Sequence, residues 1–349
     1  MLGNQKLRGP WRITFDTNPD QCNLQCIMCE EHSKYNQRQN KEIRVMSFDI
    51  VQKVIEEAVN YGLKEVIPST MGEPLLYKRF LDLIELIKKH DLKLNLTTNG
   101  TFPKLGVKKW AKLILPFSKD VKISINGSTK DINESIMEGL TFENQINNIT
   151  EFIQMRDEVR NEGKNFPTVT FQATFMEKNL TEMTDLLRTA IKLNVDRFKG
   201  HHLWVTHPEL KDQSLKSNES TIKKWNGIVE KLNNIVENER LKDGNKIFID
   251  NIYPISSYDK ELLVPNNFLC PFLGREAWIA WDGTFNVCCA PDALRKTFGY
   301  YGNVKEEKFM DLWNSDKYRQ LVQNWGTYQV CKICNMRKPL NKTGVCNND

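Results

Sequence analysis

From residue 30 to residue 269 the chain has no cysteine, although it has nine in its 349 residues. Three lie within eight residues near the start and six lie after position 269, an odd and uneven set that excludes a secreted disulfide scaffold. Long hydrophobic runs are also missing. Nowhere do about 18 uncharged apolar residues follow one another, and the opening MLGNQKLRGPWR lacks the apolar core of an export signal. Reduced thiols and a cytoplasmic location are therefore expected. Charge of one sign is weak too: a net +5 is mild for this length, and no basic stripe is interleaved with aromatics. Neither nucleic acid nor a membrane is an expected partner, while anionic substrates are permitted. With 40% hydrophobic residues the chain can bury a full core, and its length suits one large domain with an appendage.

From residue 11 to about 204, strand-like and helix-like runs alternate at roughly 30-residue intervals, as in βα units with a parallel sheet. The strand candidates are WRITFDT, LKEVIPST, LKLNLTTNG, VKISING, TVTFQATF and VDRFKGHHL. Between them lie amphipathic stretches such as SFDIVQKVIEEAVNYG, which Ser47 can cap and Gly62 can end. Polar Asn95, Thr97 and Asn99 alternate with Leu94, Leu96 and Thr98, and Thr170, Gln172 and Thr174 with Val169, Phe171 and Ala173. The expectation is an α/β fold, a partial (βα)6 barrel with a polar interior that holds a ligand. The charged segment 208–267 reads as helix plus connections. From 270 the pattern predicts a short hairpin, EAWIAWDGTFNVCC, then a helix around FMDLWNSDKYRQLVQ, then a Cys-rich tail. The expected domains are 11–207, 208–267 and 268–349.

Directly after the first strand, QCNLQCIMCEEHS places Cys22, Cys26 and Cys29 in a loop with the spacing Cys-x3-Cys-x2-Cys. Three thiolates this close can wrap one soft metal centre, but an iron–sulfur cube wants four ligands, so one iron is left open. A zinc loop completed by His32 is the plainer alternative. The spacing resembles the defining motif of the radical S-adenosylmethionine (SAM) superfamily. There the methionine moiety of the cofactor occupies the open iron, and an electron from the cluster releases a 5′-deoxyadenosyl radical. The resemblance implies Cys22, Cys26 and Cys29 as cluster ligands and Met28 beside the adenine. It extends to Gly72, Glu73 and Pro74 in STMGEPLL, with Met71 in place of the family's first glycine; to Thr97 and Asn99 in TTNG; to Ser124 and Asn126 in SING; and to Gln172, all implied cofactor contacts at strand ends.

In the last third, Cys270, Gly283, Cys288 and the pair Cys331 and Cys334, with GNV (Gly302 to Val304) and LWNS between them, resemble the iron–sulfur extension called SPASM and its shorter relative, twitch. Cys270, Cys288, Cys331 and Cys334 are then the implied ligands of one auxiliary [4Fe–4S] cluster, a zinc ribbon being the alternative. Only Cys346 follows, where a complete SPASM domain has two further cysteines. Cys289 either packs beside its neighbour or gives a hydrogen atom to a substrate radical.

The sixth strand and its exit supply Lys199, His201, His202, Trp204 and His207, the densest polar and aromatic group without an obvious structural role. Lys199 can hold an anionic group, and His201 or His202 can take a proton. Glu30, Glu31 and His32 stand beside the cluster loop. The resemblance implies an enzyme that takes a hydrogen atom from a carbon of a small polar substrate, a sugar or aminocyclitol, by epimerisation or dehydrogenation. A peptide-modifying or sulfatase-maturing enzyme is the alternative, and a non-catalytic metal protein the alternative from another class. A flavodoxin- or ferredoxin-type electron donor is implied in either enzyme.

Overall fold

Each of the six expected strands forms, and where the sequence suggests, in short β-prone runs closed by turn residues. In a computed structural model describing residues 7–36, 42–69, 71–255 and 263–339, they are β1 (Arg12–Phe15), β2 (Glu65–Ile67), β3 (Lys93–Thr98), β4 (Ser118–Ser124), β5 (Thr168–Phe175) and β6 (Arg197–His202). Cys346 lies outside the described residues. Helix α1 (Phe48–Ala58) follows β1, α2 (Phe80–Lys89) follows β2 and α3 (Val107–Ile114) follows β3. After β4 come α4 (Lys130–Ile136) and α5 (Phe142–Asn161), then α6 (Met183–Lys192) and α7 (Glu219–Asn238) after β5 and β6. Ser47 caps α1 by accepting from the Asp49 N–H, and the chain leaves that helix through Gly62 at φ 101°.

Contacts divide the chain into two units, Met1–Gln21 with Glu42–Leu94 and Glu261–Asp349, and Cys22–Lys41 with Asn95–Lys260. In the second, β4, β5 and β6 pair in parallel, and β6 pairs in parallel with β7 (Phe248–Asp250). The segment 208–267 therefore adds a strand as well as a helix. In the first unit, β1 pairs in parallel with β2, and β2 with the start of β3. The C-terminal part contributes β8 (Phe268–Leu269), β9 (Glu276–Ile279), β10 (Phe285–Asn286) and β11 (Lys338–Pro339). The expected hairpin is β9 and β10, while β8 pairs with β11. Unforeseen is that β9 also pairs in parallel with β1, from Arg12 with Glu276 to Phe15 with Ile279. The extension thus continues the sheet of the chain's first strand.

Short helices α8 (Asp292–Arg295), α9 (Phe309–Trp313), α10 (Asp316–Asn324) and α11 (Gln329–Lys332) complete the C-terminal part. The single helix expected around FMDLWNSDKYRQLVQ is two, because Ser315 stops the first and caps the second, accepting from the Tyr318 N–H at 3.3 Å.

One face of each strand carries the apolar core: Ile13, Phe15, Val121, Ile123, Phe171 and Phe198 are fully buried. The other face is polar, as the alternation predicts. In the first unit the Arg12 guanidinium lies between the carboxylates of Glu65 and Glu276. In the second, Asp120 binds Arg197 and accepts from Thr170 at 2.8 Å, while Lys122 donates to Asn95. Against its burial, Arg197 and Lys122 hold the Asp120 carboxyl below its ordinary range. Buried charges persist only when paired, so these clusters seat the strands from the polar side. Above them in register stand Ser124, Gln172, Lys199 and Asp250, then Thr174 and His201.

Candidate functional site

In the second unit the loop carrying Cys22, Cys26 and Cys29 is held by its own residues. Leu24 and Ile27 are buried against Ile136, Met137, Met176 and Leu203, and Cys22, Cys26 and Met28 pack on this cluster. Burying two such side chains contributes about 2 kcal/mol each. The loop's backbone adds Gln25 N–H to the Glu138 carbonyl at 2.8 Å and Ile27 N–H to the Ile136 carbonyl at 2.9 Å. Burial and the neighbouring cysteines push the Cys26 thiol well up, and burial raises Cys29 although the His32 N–H donates to its sulfur at 3.3 Å. Such thiols lose their protons to a metal centre rather than on their own.

The strand ends around this loop, with the expected Asn99 and Asn126, are tied by buried amides that the sequence did not single out: Gln145, Asn133 and Asn179. Asn99 donates to Asn23 at 2.9 Å, beside Cys22, whose sulfur is 3.9 Å from the Asn99 amide. Gln145, on α5, donates to the carbonyls of Asn99 and Ser124 at 2.8 and 2.9 Å and accepts from Asn133 at 2.9 Å. Asn133 in turn accepts from the Asn126 N–H at 2.8 Å. The Asn126 side-chain oxygen accepts from the Thr174 N–H at 2.8 Å. Asn179 donates to the carbonyls of Asn126 and Thr174, both at 2.9 Å. The available signal was a polar residue at a core position of a helix, as at Gln145 and Asn133.

In the first unit the Gly-Glu-Pro turn clamps the chain just before Cys22. Gly72 stands at φ 75°, and a Cβ there would come within 2.2 Å of the Asn18 carbonyl oxygen and 2.9 Å of that of Gln21. The Glu73 N–H donates to Gln21 at 2.8 Å, and buried Asn18 donates to the Glu73 carbonyl at 2.9 Å. Glu73 is 1% exposed, and its carboxylate accepts from the Leu75 N–H, capping the short turn that begins with Pro74.

The candidates at the end of β6 separate. Lys199 and His201 lie on the polar face beside Gln172 and Thr174. Burial, then Lys199, pushes His201 down to about 4, so its imidazole is neutral. His202 lies on the opposite face, its ring 4.8 Å from Trp225 and 6.0 Å from Phe175, which narrows the expected pair to His201. His207 meets the Cys29 carbonyl through Nε2 at 2.9 Å. It braces the cluster loop, a structural role not evident from its place in the sequence. Glu30 and Glu31 lend their carbonyls to Asn36, which closes the loop.

The second cysteine group lies wholly in the first unit. Cys270, Cys288, Cys289, Cys331 and Cys334 line one pocket together with Phe272, Trp325 and Arg337. Backbone N–H groups of Leu273, Ala290 and Met336 point at the sulfurs of Cys270, Cys288 and Cys334 at 3.5, 3.4 and 3.3 Å. Burial pushes Cys331 up to about 12 and Cys334 up to about 11. Cys289 donates to Cys288, which lowers Cys288 and raises Cys289. Among the described residues no three His, Cys, Asp or Glu side chains converge on one ion. A [4Fe–4S] cube takes each thiolate at a separate corner, so four thiols around one pocket can serve it. Soft sulfur donors, N–H groups aimed at them and a cavity between them fit such a cluster.

Comparison with known proteins agrees with this chemistry. The family model described as the radical SAM superfamily matches residues 19–172, and the model of the SPASM iron–sulfur cluster-binding domain matches 270–335. A curated relative from Pyrococcus furiosus, the tungsten-containing aldehyde ferredoxin oxidoreductase cofactor-modifying protein, is 26% identical over 334 residues, 90% of this chain and 85% of that protein. Among solved structures, Streptococcus suis SuiB bound to the precursor peptide SuiA matches with a TM-score of 0.64 and 17% identity, covering 95% of this chain and 72% of SuiB. Native anSMEcpe with bound SAM and the Cp18Cys peptide matches with a TM-score of 0.61 and 18% identity, over 90% of this chain and 82% of that one. Among the described residues no helix is long and apolar enough to cross a membrane. The chain thus carries a radical SAM domain and a SPASM domain, a pairing that goes with SAM and two [4Fe–4S] clusters as cofactors.

Proposed function

We propose that this enzyme takes a hydrogen atom from a peptide or protein-borne substrate. The observation that carries the proposal is the joint presence of a three-cysteine loop ringed by strand-end amides and a five-cysteine cavity, in a fold shared along most of its length with proteins solved with bound peptides. The sugar or aminocyclitol substrate suggested by the sequence has no comparable support. When bound at Cys22, Cys26 and Cys29, the cluster and SAM supply a 5′-deoxyadenosyl radical. The protein's own contribution is placement. Asn99, Ser124, Asn126 and Gln172 offer polar groups to the cofactor, and Gly72 and Glu73 fix the approach to Cys22. Lys199 offers a cation to an anionic substrate group. Neutral His201 is able to accept the proton that leaves when a substrate radical is oxidised. Cys270, Cys288, Cys331 and Cys334 would hold the second cluster, which would supply an electron acceptor there, with Cys289 as their neighbour. A flavodoxin or ferredoxin supplies the low-potential electron that starts turnover. We keep 11–207, 208–267 and 268–349 as the proposed core, connection and extension.

The test is substrate-stimulated release of 5′-deoxyadenosine. Reconstituted enzyme with SAM and dithionite is offered a panel of synthetic peptides and, separately, a panel of hexoses and aminocyclitols. Stimulation by peptides, with a changed peptide mass, is the expected result; stimulation by the sugars alone would reverse the proposal. Stimulation by neither would favour the second reading, a metal-cofactor substrate of the kind in the name of the Pyrococcus furiosus relative.

A further inference from the structure

Arg337 is 7% exposed, lines the cavity of the second cysteine group, and among the described residues pairs with no carboxylate. Its Nε donates to the Phe268 carbonyl at 2.7 Å, one terminal nitrogen to Cys331 at 3.2 Å and the other to Pro265 at 2.9 Å. The guanidinium also stands 4.9 Å over the Trp325 ring. A buried arginine keeps its charge, and three of its five N–H donors are used by these carbonyls. An uncompensated buried cation is costly, so an anion is needed beside it. Among the described residues, the only anionic chemistry lining the cavity is thiolate.

We propose that Arg337 is the counter-charge of the auxiliary cluster and sets how readily that cluster accepts an electron. Four thiolates carry more negative charge than the iron–sulfur core offsets, and one added electron increases the excess. A fixed cation beside the cluster stabilises the reduced form more than the oxidised form and raises the reduction potential. Neutral N–H donors to three of the sulfurs act in the same direction. This inference concerns the cluster alone and holds for any substrate.

The experiment uses the full chain with Cys22, Cys26 and Cys29 replaced by alanine, so that the auxiliary cluster is the one observed. In this background wild-type Arg337, Arg337→Lys and Arg337→Gln are compared by iron content and by dithionite titration followed by electron paramagnetic resonance. Arg337→Gln is expected to retain iron and to lower the reduced-to-oxidised ratio at a fixed potential roughly tenfold, about 59 mV for one electron. Arg337→Lys is expected to stay within about threefold of wild type, since it keeps the charge. An unchanged potential in Arg337→Gln would overturn the proposal, as would an equal fall in both variants. If only Arg337→Lys holds its cluster, a wild-type-like potential supports the proposal and a tenfold fall refutes it. Loss of iron from both variants would reduce Arg337 to a tie among three carbonyls and overturn it as well.

Discussion

The two cysteine groups solve opposite problems with the same ligand type. The loop of Cys22, Cys26 and Cys29 rests on an apolar bed, takes backbone N–H groups on the sulfurs of Cys26 and Cys29, and is ringed by strand-end amides. The group of Cys270, Cys288, Cys331 and Cys334 surrounds a cavity, takes N–H donors on three sulfurs, and has a buried arginine beside it. Three ligands leave an iron for a cofactor to occupy; four leave none. The first arrangement suits bond-making chemistry at the metal and the second suits passing electrons. What differs is less the sulfur than its surroundings, which decide whether a site is open and how much charge it tolerates.

Removing single thiolates should give the largest contrast. Cys26→Ala should abolish 5′-deoxyadenosine release, a fall of at least about 10³-fold, while Cys331→Ala should leave slow, substrate-independent release measurable by chromatography. If both variants behave alike, the division of labour fails. Next in size is Gly72→Ala. Its φ and the 2.2 Å approach to Asn18 predict a loss of about 2–4 kcal/mol and weaker iron retention by the first site alone. Thermal unfolding and iron counts on each site-selective background check this. Gln145→Leu should cost about 2–3 kcal/mol, because the carbonyls of Asn99 and Ser124 and the Asn133 amide all lose their partner. It should leave the auxiliary cluster's spectrum unchanged.

Absent at neutral pH and confined to the acid range is a pH effect from His201. Its folded value of about 4 lies below the usual 6.5, so the unfolded chain binds the extra proton first as pH falls. The associated stability is complete above about pH 6.5 and is lost as pH drops toward 4, by at most about 3 kcal/mol. His201→Gln should flatten that acid limb in thermal unfolding. An acid limb identical in wild type and variant would mean that His201 titrates normally.

How much of this was legible beforehand follows from how local each feature is. All six core strands and the cap at Ser47 were readable, because alternation and turn residues act over a few positions. The ring of cysteines was readable from spacing. Strand β7 was not, being three residues within a highly charged stretch, and neither was the pairing of β9 with β1, which joins positions 264 residues apart. Arg337 looked like one of many basic residues in a tail, and only its burial sets it apart. His207 sat in a sequence cluster with Lys199 and His201, yet its bond to the Cys29 carbonyl depends on the path of the chain after β6.

The most direct test of the two-site account is iron counting on anaerobically reconstituted protein, with 5′-deoxyadenosine release measured on the same samples. Wild type should hold about eight irons, and replacement of Cys22, Cys26 and Cys29 by alanine, or of Cys270, Cys288, Cys331 and Cys334, should leave about four in each case. Only the second of these variants should still release the nucleoside. Zinc in place of iron, or nucleoside release that survives loss of the first three cysteines, would contradict the account.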